Sequence, residues 1–272
     1  MSKINFQHAA RIKWSGGELL RWKGPGFSWT RPGVGAFNPD SLFVGNVGWI
    51  YDVSDLSSMF QDIAGTVPVT GAGQRVGLHL DLSGNSIHRF AVTDEGRPTI
   101  EVDENGDFYL VSTDSGQQLV TNAHVWGSGR ATVCIGLQRT STGATVIMSR
   151  SPNIGANTGV FAINQRNLSG RQTFQFQNKG TNLRSTDAGG TFAVPDRFAI
   201  TLEGNLTAPF TRGRINGVEF VNNTSSLNGA YGEHANFFPI NARDYGSVGI
   251  NRLLIEAELL NLEAWISARF TV

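Results

Sequence analysis

The chain has little of three things: cysteine, charge and long apolar runs. Cys134 is the one cysteine among 272 residues, which excludes an intrachain disulfide and predicts a buried, unreactive thiol. No apolar run approaches the roughly 18 residues of a membrane-spanning helix, so we expect no membrane insertion. The N-terminus lacks the apolar core and cleavage site of a signal peptide, and we therefore expect folding in a cytoplasm.

The few charges are balanced overall but unevenly placed. Charged residues make up 16% of the chain, and 22 basic residues match 22 acidic ones. Zero net charge gives no broad attraction to nucleic acid or to a membrane surface, and we expect neither as a partner. Residues 1–35, however, hold six basic residues and one acid. This asymmetry indicates an N-terminal segment with a partner of its own.

Glycine is what the chain has in excess. Its 33 glycines exceed the roughly 19 that average usage would give, and they separate short strand-like segments at regular intervals. This spacing is typical of an all-β sandwich. QTFQFQ at 172–177 and RFAITLEGN at 197–205 alternate, so each is expected to have one solvated face. We predict strands at 99–102, 107–111, 131–139, 144–149, 160–165, 172–177, 197–202, 212–215, 218–221 and 247–254.

Helical signals lie at both ends of this β-rich region. An apolar stripe from Ile255 to Ile266 predicts a closing helix over 256–267. Apolar residues at i, i+3 and i+4 predict a short helix within 52–62, capped by Asp52 or Ser54. A strand is expected at 74–82, with its leucines on one side and His79 on the opposite, solvated side.

Residues 48–98 carry the most specific pattern in the chain, GWIYDVSDLSSMFQDIAGTVPVTGAGQRVGLHLDLSGNSIHRFAVTDEGRP. It resembles the opening of concanavalin A-like (laminin G-like) jelly rolls of tailed phages, prophages and gene transfer agents, where the pattern looks like WYDPSDLSTLFQD…GTTPVT…GQPVGLxLDxSGxGNHA…RP. RINGV at 214–218 and the tail GSVGINRLLIEAELLNLEAWISARF resemble later parts of the same domains. The chain departs from the pattern at SGNSIHR (83–89), where Arg89 replaces a small residue.

The resemblance implies a fold and a role. The fold is a concanavalin A-like two-sheet jelly-roll sandwich over residues 46–272, closed by a C-terminal helix and preceded by a hairpin and extended docking arm over 1–45. The role is that of a virion structural protein, a fibre, spike or tail-tip component that helps a particle adsorb to a cell. The implied partners are other virion subunits and host surface polysaccharide. A homotrimer is expected by analogy with fibres, and the implied location is the virion, assembled in the host cytoplasm.

The N-terminal arm holds the candidate docking residues. Three tryptophans lie among its basic residues, and tryptophan and arginine dominate the energetics of protein interfaces. Packing of the arm onto the sandwich explains the same residues equally well, whereas stacking on nucleic acid bases is the weakest alternative. The candidates for docking to the particle are Trp14, Arg21, Trp22, Lys23 and Trp29.

Two loop regions supply candidates for carbohydrate binding. HVWGSGR at 124–130 and the polar stretch 221–239 combine aromatic, amide and basic side chains, and loops on a rigid sandwich often carry binding. Sugars stack on aromatic faces and exchange hydrogen bonds with amides and histidine. The alternative is that the aromatic rings are tucked back onto the sheet. The candidates are Trp126, Arg130, Tyr231, His234 and Asn236.

No motif in the sequence indicates an enzyme or a cofactor. HExxH, a P-loop and a dinucleotide fingerprint are absent, and no two histidines have metal-ligand spacing. Acidic residues at 101–104 and Glu203 could serve a glycan hydrolase, but nothing singles out a pair at catalytic separation. Calcium stays open as an alternative at Asp52, Asp55 and Asp62, although helix capping explains two of these acids as well. A purely architectural subunit is the second hypothesis, and a polysaccharide-degrading enzyme is the third.

Overall fold

The computed structural model describes residues 37–112, 116–150, 160–179, 185–208, 210–224, 231, 233, 235–239 and 242–270. The chain divides into two units, Met1–Asn38 and Pro39–Val272, and the description below concerns the second. The predicted docking residues Trp14, Arg21, Trp22, Lys23 and Trp29 all lie outside the described residues. Within the described part of the chain, no helix is both long and apolar enough to cross a membrane.

Two antiparallel sheets face each other, which confirms the all-β jelly-roll sandwich. In the described residues, the first sheet has eight strands and the second has nine. The order in the first sheet is β15 (Val218–Asn223), β14 (Phe210–Ile215), β13 (Arg197–Asn205), β8 (Arg130–Gln138), β17 (Arg243–Ile250), β6 (Phe108–Val111) and β5 (Thr99–Val102), with β1 (Gly48–Asp52) also paired to β17. The order in the second sheet is β12 (Ser185–Asp187), β11 (Arg171–Lys179), β10 (Val160–Leu168), β9 (Thr145–Arg150), β16 (Asn236–Pro239), β7 (Gln118–Thr121), β4 (Arg89–Ala91), β3 (Leu78–His79) and β2 (Met59–Phe60).

The main core lies between the two sheets. Alternate residues of β10 and β11 point inward from the second sheet, and those of β8 and β13 meet them from the first. This is the packing expected when two sheets bury one face each. The buried side chains that carry this contact are Phe161, Ile163, Phe174, Phe176, Val133, Ile135, Ile200 and Leu202.

The closing helix, α1 (Glu256–Ser267), matches its predicted bounds. It contacts β8, β13 and β17 and buries Leu259, Leu262 and Ile266 completely. Because these strands already face the core on their other side, α1 covers the outer face of the first sheet. Cys134 is fully buried, and burial raises the pKa of its thiol.

The N-terminal part of the sandwich differs from its predicted elements. The helix expected within 52–62 is a single 3-10 turn, Leu56–Ser58, because the Asp55 carboxylate caps it and the chain then pairs as β2. The strand expected at 74–82 shortens to β3. His79 is fully buried, so the expectation of a solvated histidine is wrong. The strands that the sequence did not indicate are β1, β2, β4, β7, β12 and β16.

The motif that carries the family resemblance has a structural role here. The Asp81 carboxylate accepts hydrogen bonds from the backbone amides of Ile50, Ser83 and Ile87, at 2.8–3.0 Å. Asn85 Nδ2 donates to the carbonyl of Gly48 at 3.1 Å. These hydrogen bonds hold the loop that follows β3 against β1. The sequence motif is therefore explained by the geometry of this loop.

Arg89, the departure from that pattern, points into the core and is fully buried. Its guanidinium donates to Asp244 Oδ2 at 2.7 Å and lies 4.6 Å from the centre of the Tyr51 ring. The pKa of the neighbouring His79 lies well below its usual value, mainly because the ring is buried. The arginine that replaces a small residue is therefore balanced by a carboxylate on β17.

Candidate functional site

Three of the five candidate carbohydrate-binding residues meet at one end of the sandwich. Trp126 lies in the connection between β7 and β8, and Asn236 begins β16 opposite Arg150, the last residue of β9. The Arg150 guanidinium lies 4.5 Å from the centre of the Trp126 ring, and the ring of Tyr231 meets Trp126 edge-on at 5.3 Å. The structure thus places an arginine, which the sequence did not single out, at the centre of the predicted group.

This cluster is sealed inside the protein. Trp126, Arg150 and Asn236 are 0% exposed, and Tyr231 is 2% exposed. The Trp126 ring also stacks on Trp49, with the ring centres 5.8 Å apart. A ring with no exposed face offers no platform to a sugar, so these residues support the loops from beneath.

Polar contacts hold Arg150 in place. Its Nη1 donates to Asn236 Oδ1 at 3.3 Å and lies 3.0 Å from His124 Nε2, while Nη2 donates to the His124 carbonyl. Burial lowers the pKa of Arg150 to about 10, which leaves the guanidinium charged at neutral pH. The structure therefore keeps a buried cation by surrounding it with acceptors and the face of an aromatic ring.

His124 closes the cluster toward the surface. Burial, reinforced by the charge of Arg150, lowers the pKa of His124 to about 4. The ring is therefore neutral at physiological pH, with Nε2 accepting from Arg150 and Nδ1 donating to the Asn122 carbonyl at 3.1 Å. Both ring nitrogens are engaged, so this histidine is suited to holding the β7–β8 loop and not to transferring protons.

The remaining two candidates lie elsewhere. Arg130 is exposed at the start of β8, opposite Asn205 of β13. His234 lies outside the described residues. The five candidates consequently do not form one exposed surface. Arg150 and His124 complete the buried group, and the only sequence signal for either was the position of His124 beside Trp126 in HVWGSGR.

The acidic residues considered for hydrolysis or calcium have structural partners. Glu203 is fully buried and pairs with Arg212, and Asp103 pairs with Arg197 at 2.6 Å. Asp52 pairs with Arg269 at 2.5 Å, while Asp55 and Asp62 accept hydrogen bonds within their own turns. Among the described residues, no three His, Cys, Asp or Glu side chains are grouped to hold a metal ion. Calcium binding remains an untested alternative.

No family model and no curated protein sequence matches the chain. Solved structures do match. A botulinum neurotoxin type C structure, from work on its interaction with two ganglioside molecules, matches 82% of this chain with a TM-score of 0.55 and 13% identity. The binding domain of botulinum neurotoxin DC in complex with rat synaptotagmin II matches 83%, with a TM-score of 0.56 and 11% identity.

The binding domain of Paraclostridial Mosquitocidal Protein 1 is similar to the same degree, matching 81% of this chain with a TM-score of 0.55 and 14% identity. The likeness shows a shared fold. This chain spans about half the length of the structures it matches, 51%, 52% and 52% respectively.

Proposed function

We propose that this chain is a virion structural protein of a tailed phage or phage-like particle, and that its sandwich binds polysaccharide on the host cell surface. In this proposal residues 1–45 attach the protein to other virion subunits through Trp14, Arg21, Trp22, Lys23 and Trp29. The protein would act as a fibre, spike or tail-tip component, as a homotrimer. No catalytic step is proposed.

One observation carries the binding part of the proposal. The sandwich shares its fold with a botulinum neurotoxin type C structure from work on its interaction with two ganglioside molecules, and with a neurotoxin binding domain in complex with rat synaptotagmin II. The particle part is supported by the sequence resemblance, whose central motif folds into the loop after β3 that hydrogen bonds hold against β1. Weak binding by one copy would be amplified by the many copies that a particle carries.

A connector subunit is the second candidate function. The edge strand β15 exposes Val218 by 57% and Phe220 by 38%, and apolar side chains on a sheet edge suit a contact with a neighbouring subunit. In that case the sandwich would bridge subunits and bind no glycan.

Retention on polysaccharide separates the two functions. The purified full chain and intact particles are passed over immobilised envelope polysaccharide from the host strain, with polysaccharide from a resistant strain as the control. We expect both to be retained on the host material alone. Binding of the particles without any retention of the purified chain would contradict the proposed function.

A further inference from the structure

The side of α1 that faces solvent carries no charged residue. The helix buries Leu259, Leu262 and Ile266 against the first sheet. Because an α-helix has 3.6 residues per turn, the opposite side is formed by five residues, which we call the outer stripe: Ala257, Leu260, Asn261, Ala264 and Ala268. All five are exposed or half-buried. A surface helix carries charged and polar residues on this side, whereas a helix that is apolar all round is covered all round. The composition of the outer stripe is therefore that of a contact surface.

Large apolar side chains stand out from this surface. Leu260, in the middle of the outer stripe, is 47% exposed, and Ile255, just before the helix, is 67% exposed. The neighbours of Leu260 along the stripe, Ala257 and Ala264, are small. A leucine beside small residues forms a ridge beside a hollow, and helices pack by placing the ridges of one into the grooves of another. The shape of the outer stripe therefore suits a second helix.

The acids of α1 are paired within the chain. Glu256 and Glu263 each contact Arg214 at 2.9 Å, and Glu258 contacts Arg252 at 2.7 Å. None of these acids belongs to the outer stripe. An identical stripe can therefore approach without placing like charges against each other, which would oppose the contact.

One flank of α1 has opposite charges at its two ends. Glu258 lies in the first turn, and Trp265 lies on the same flank two turns later. The Arg269 guanidinium is 3.6 Å from the centre of the Trp265 ring, which places the cation on this flank as well. The side chains of Glu258 and Arg269 are 29% and 20% exposed. When two α1 helices lie antiparallel across a twofold axis, Glu258 of each copy faces Arg269 of the other.

We propose that the outer stripe of α1 binds a second copy of this chain, with the two α1 helices antiparallel across a twofold axis. In this arrangement Leu260 of each copy lies against Ala264 of the other, so each leucine fills the hollow beside an alanine. Ala257 then lies against Ala268. The contact is isologous and separate from any threefold contact between subunits. The inference does not rest on the proposed function.

The length of α1 sets the strength of this contact. Its 12 residues span about 18 Å at a rise of 1.5 Å per residue. A pair of such helices buries less than the roughly 800 Å² per partner of a standard stable interface. We therefore expect a reversible association with a dissociation constant of roughly 10–100 µM.

Sedimentation equilibrium of the purified full chain, over concentrations that span this range, tests the inference. The weight-average mass of the wild type should rise twofold. Leu260→Arg places two like charges in the contact and should weaken the association at least tenfold. Val92→Arg is the matched control, because Val92 is 60% exposed and follows β4 of the other sheet. This control should associate like the wild type.

Charge variants at Ala257 test the antiparallel orientation. Ala257 is exposed, so both substitutions are compatible with folding. In the proposed pair Ala257 lies beside Ala268 and Arg269 of the second copy. Ala257→Arg should therefore weaken the association about tenfold through repulsion, whereas Ala257→Glu should associate at least as well as the wild type.

Each outcome supports or overturns the inference. A wild-type mass that does not rise overturns it, and another part of the chain or solvent then covers the outer stripe. An association that Leu260→Arg leaves intact also overturns it and lies at another surface. Equal losses from the two Ala257 variants contradict the antiparallel pair. Retention on host polysaccharide should be the same for Leu260→Arg and the wild type, so a failure of the proposed function would appear there and not in the mass.

Discussion

Replacing Glu263 with alanine is expected to destabilise the protein by about 3–5 kcal/mol, the cost of removing one partner of a buried ion pair. Glu263 of α1 and Arg214 of β14 are 4% and 5% exposed. The carboxylate accepts from Arg214 Nε at 2.9 Å and Nη2 at 3.1 Å, and from Thr201 Oγ1 at 2.9 Å. The variant would leave the guanidinium trapped between the helix and the sheet.

Glu256→Ala is the matched control on the same helix. Glu256 accepts from the same arginine, at 2.9 Å, but its side chain is 56% exposed. An exposed pair contributes about 0–1 kcal/mol, so this variant should unfold in urea almost like the wild type. Equal losses from the two variants would show that burial does not decide the strength of this contact and would contradict the account of how α1 is held.

Asp244→Ala is expected to cost a similar amount, about 3–5 kcal/mol. Arg89 is completely buried, and Asp244, 13% exposed by its side chain, is its carboxylate partner. His79 accepts from the Arg89 guanidinium, but a neutral imidazole does not replace the lost negative charge. Two rings remain near the cation, Tyr51 at 4.6 Å and Phe238 at 5.3 Å, and they too provide only partial compensation.

Two further variants make this result interpretable. Asp94→Ala removes an acid that is 75% exposed and lies 3.7 Å from Arg97, and it should change the stability by less than about 0.5 kcal/mol. The double variant Arg89→Met/Asp244→Ala removes both charges, so it should be more stable than Asp244→Ala alone. A double variant that is less stable than the single one would contradict the view that an unpaired buried cation causes the loss.

The long strands and the closing helix could be predicted because their signals are local. Apolar and polar residues alternate along β11 and β13, and an apolar stripe follows α1, so a few consecutive residues are enough to recognise each element. The predicted bounds of α1 agree with the structure. The short strands β2 and β4 could not be predicted in this way. They have two or three residues each, which is too short for a period to show, and their pairing is decided by contacts distant in sequence.

The candidate site could be predicted only in part, because the sequence does not show which of its side chains are buried. The sequence predicts Trp126, Tyr231 and Asn236 as aromatic and amide residues in loops, and the structure brings them together. Their inward orientation depends on Arg150, which is 86 residues from Asn236 in sequence. Likewise, Arg89 finds Asp244 at a separation of 155 residues. A buried ion or cation–aromatic contact between such distant positions leaves no pattern in either local sequence.

Cryo-electron microscopy of the intact particle, with this chain located in the map, is the most direct test of the proposed function. The account predicts that residues 1–45 contact a neighbouring subunit and that the sandwich points away from the particle. A map in which other subunits enclose the sandwich on all sides would contradict it, and the chain would then be a connector.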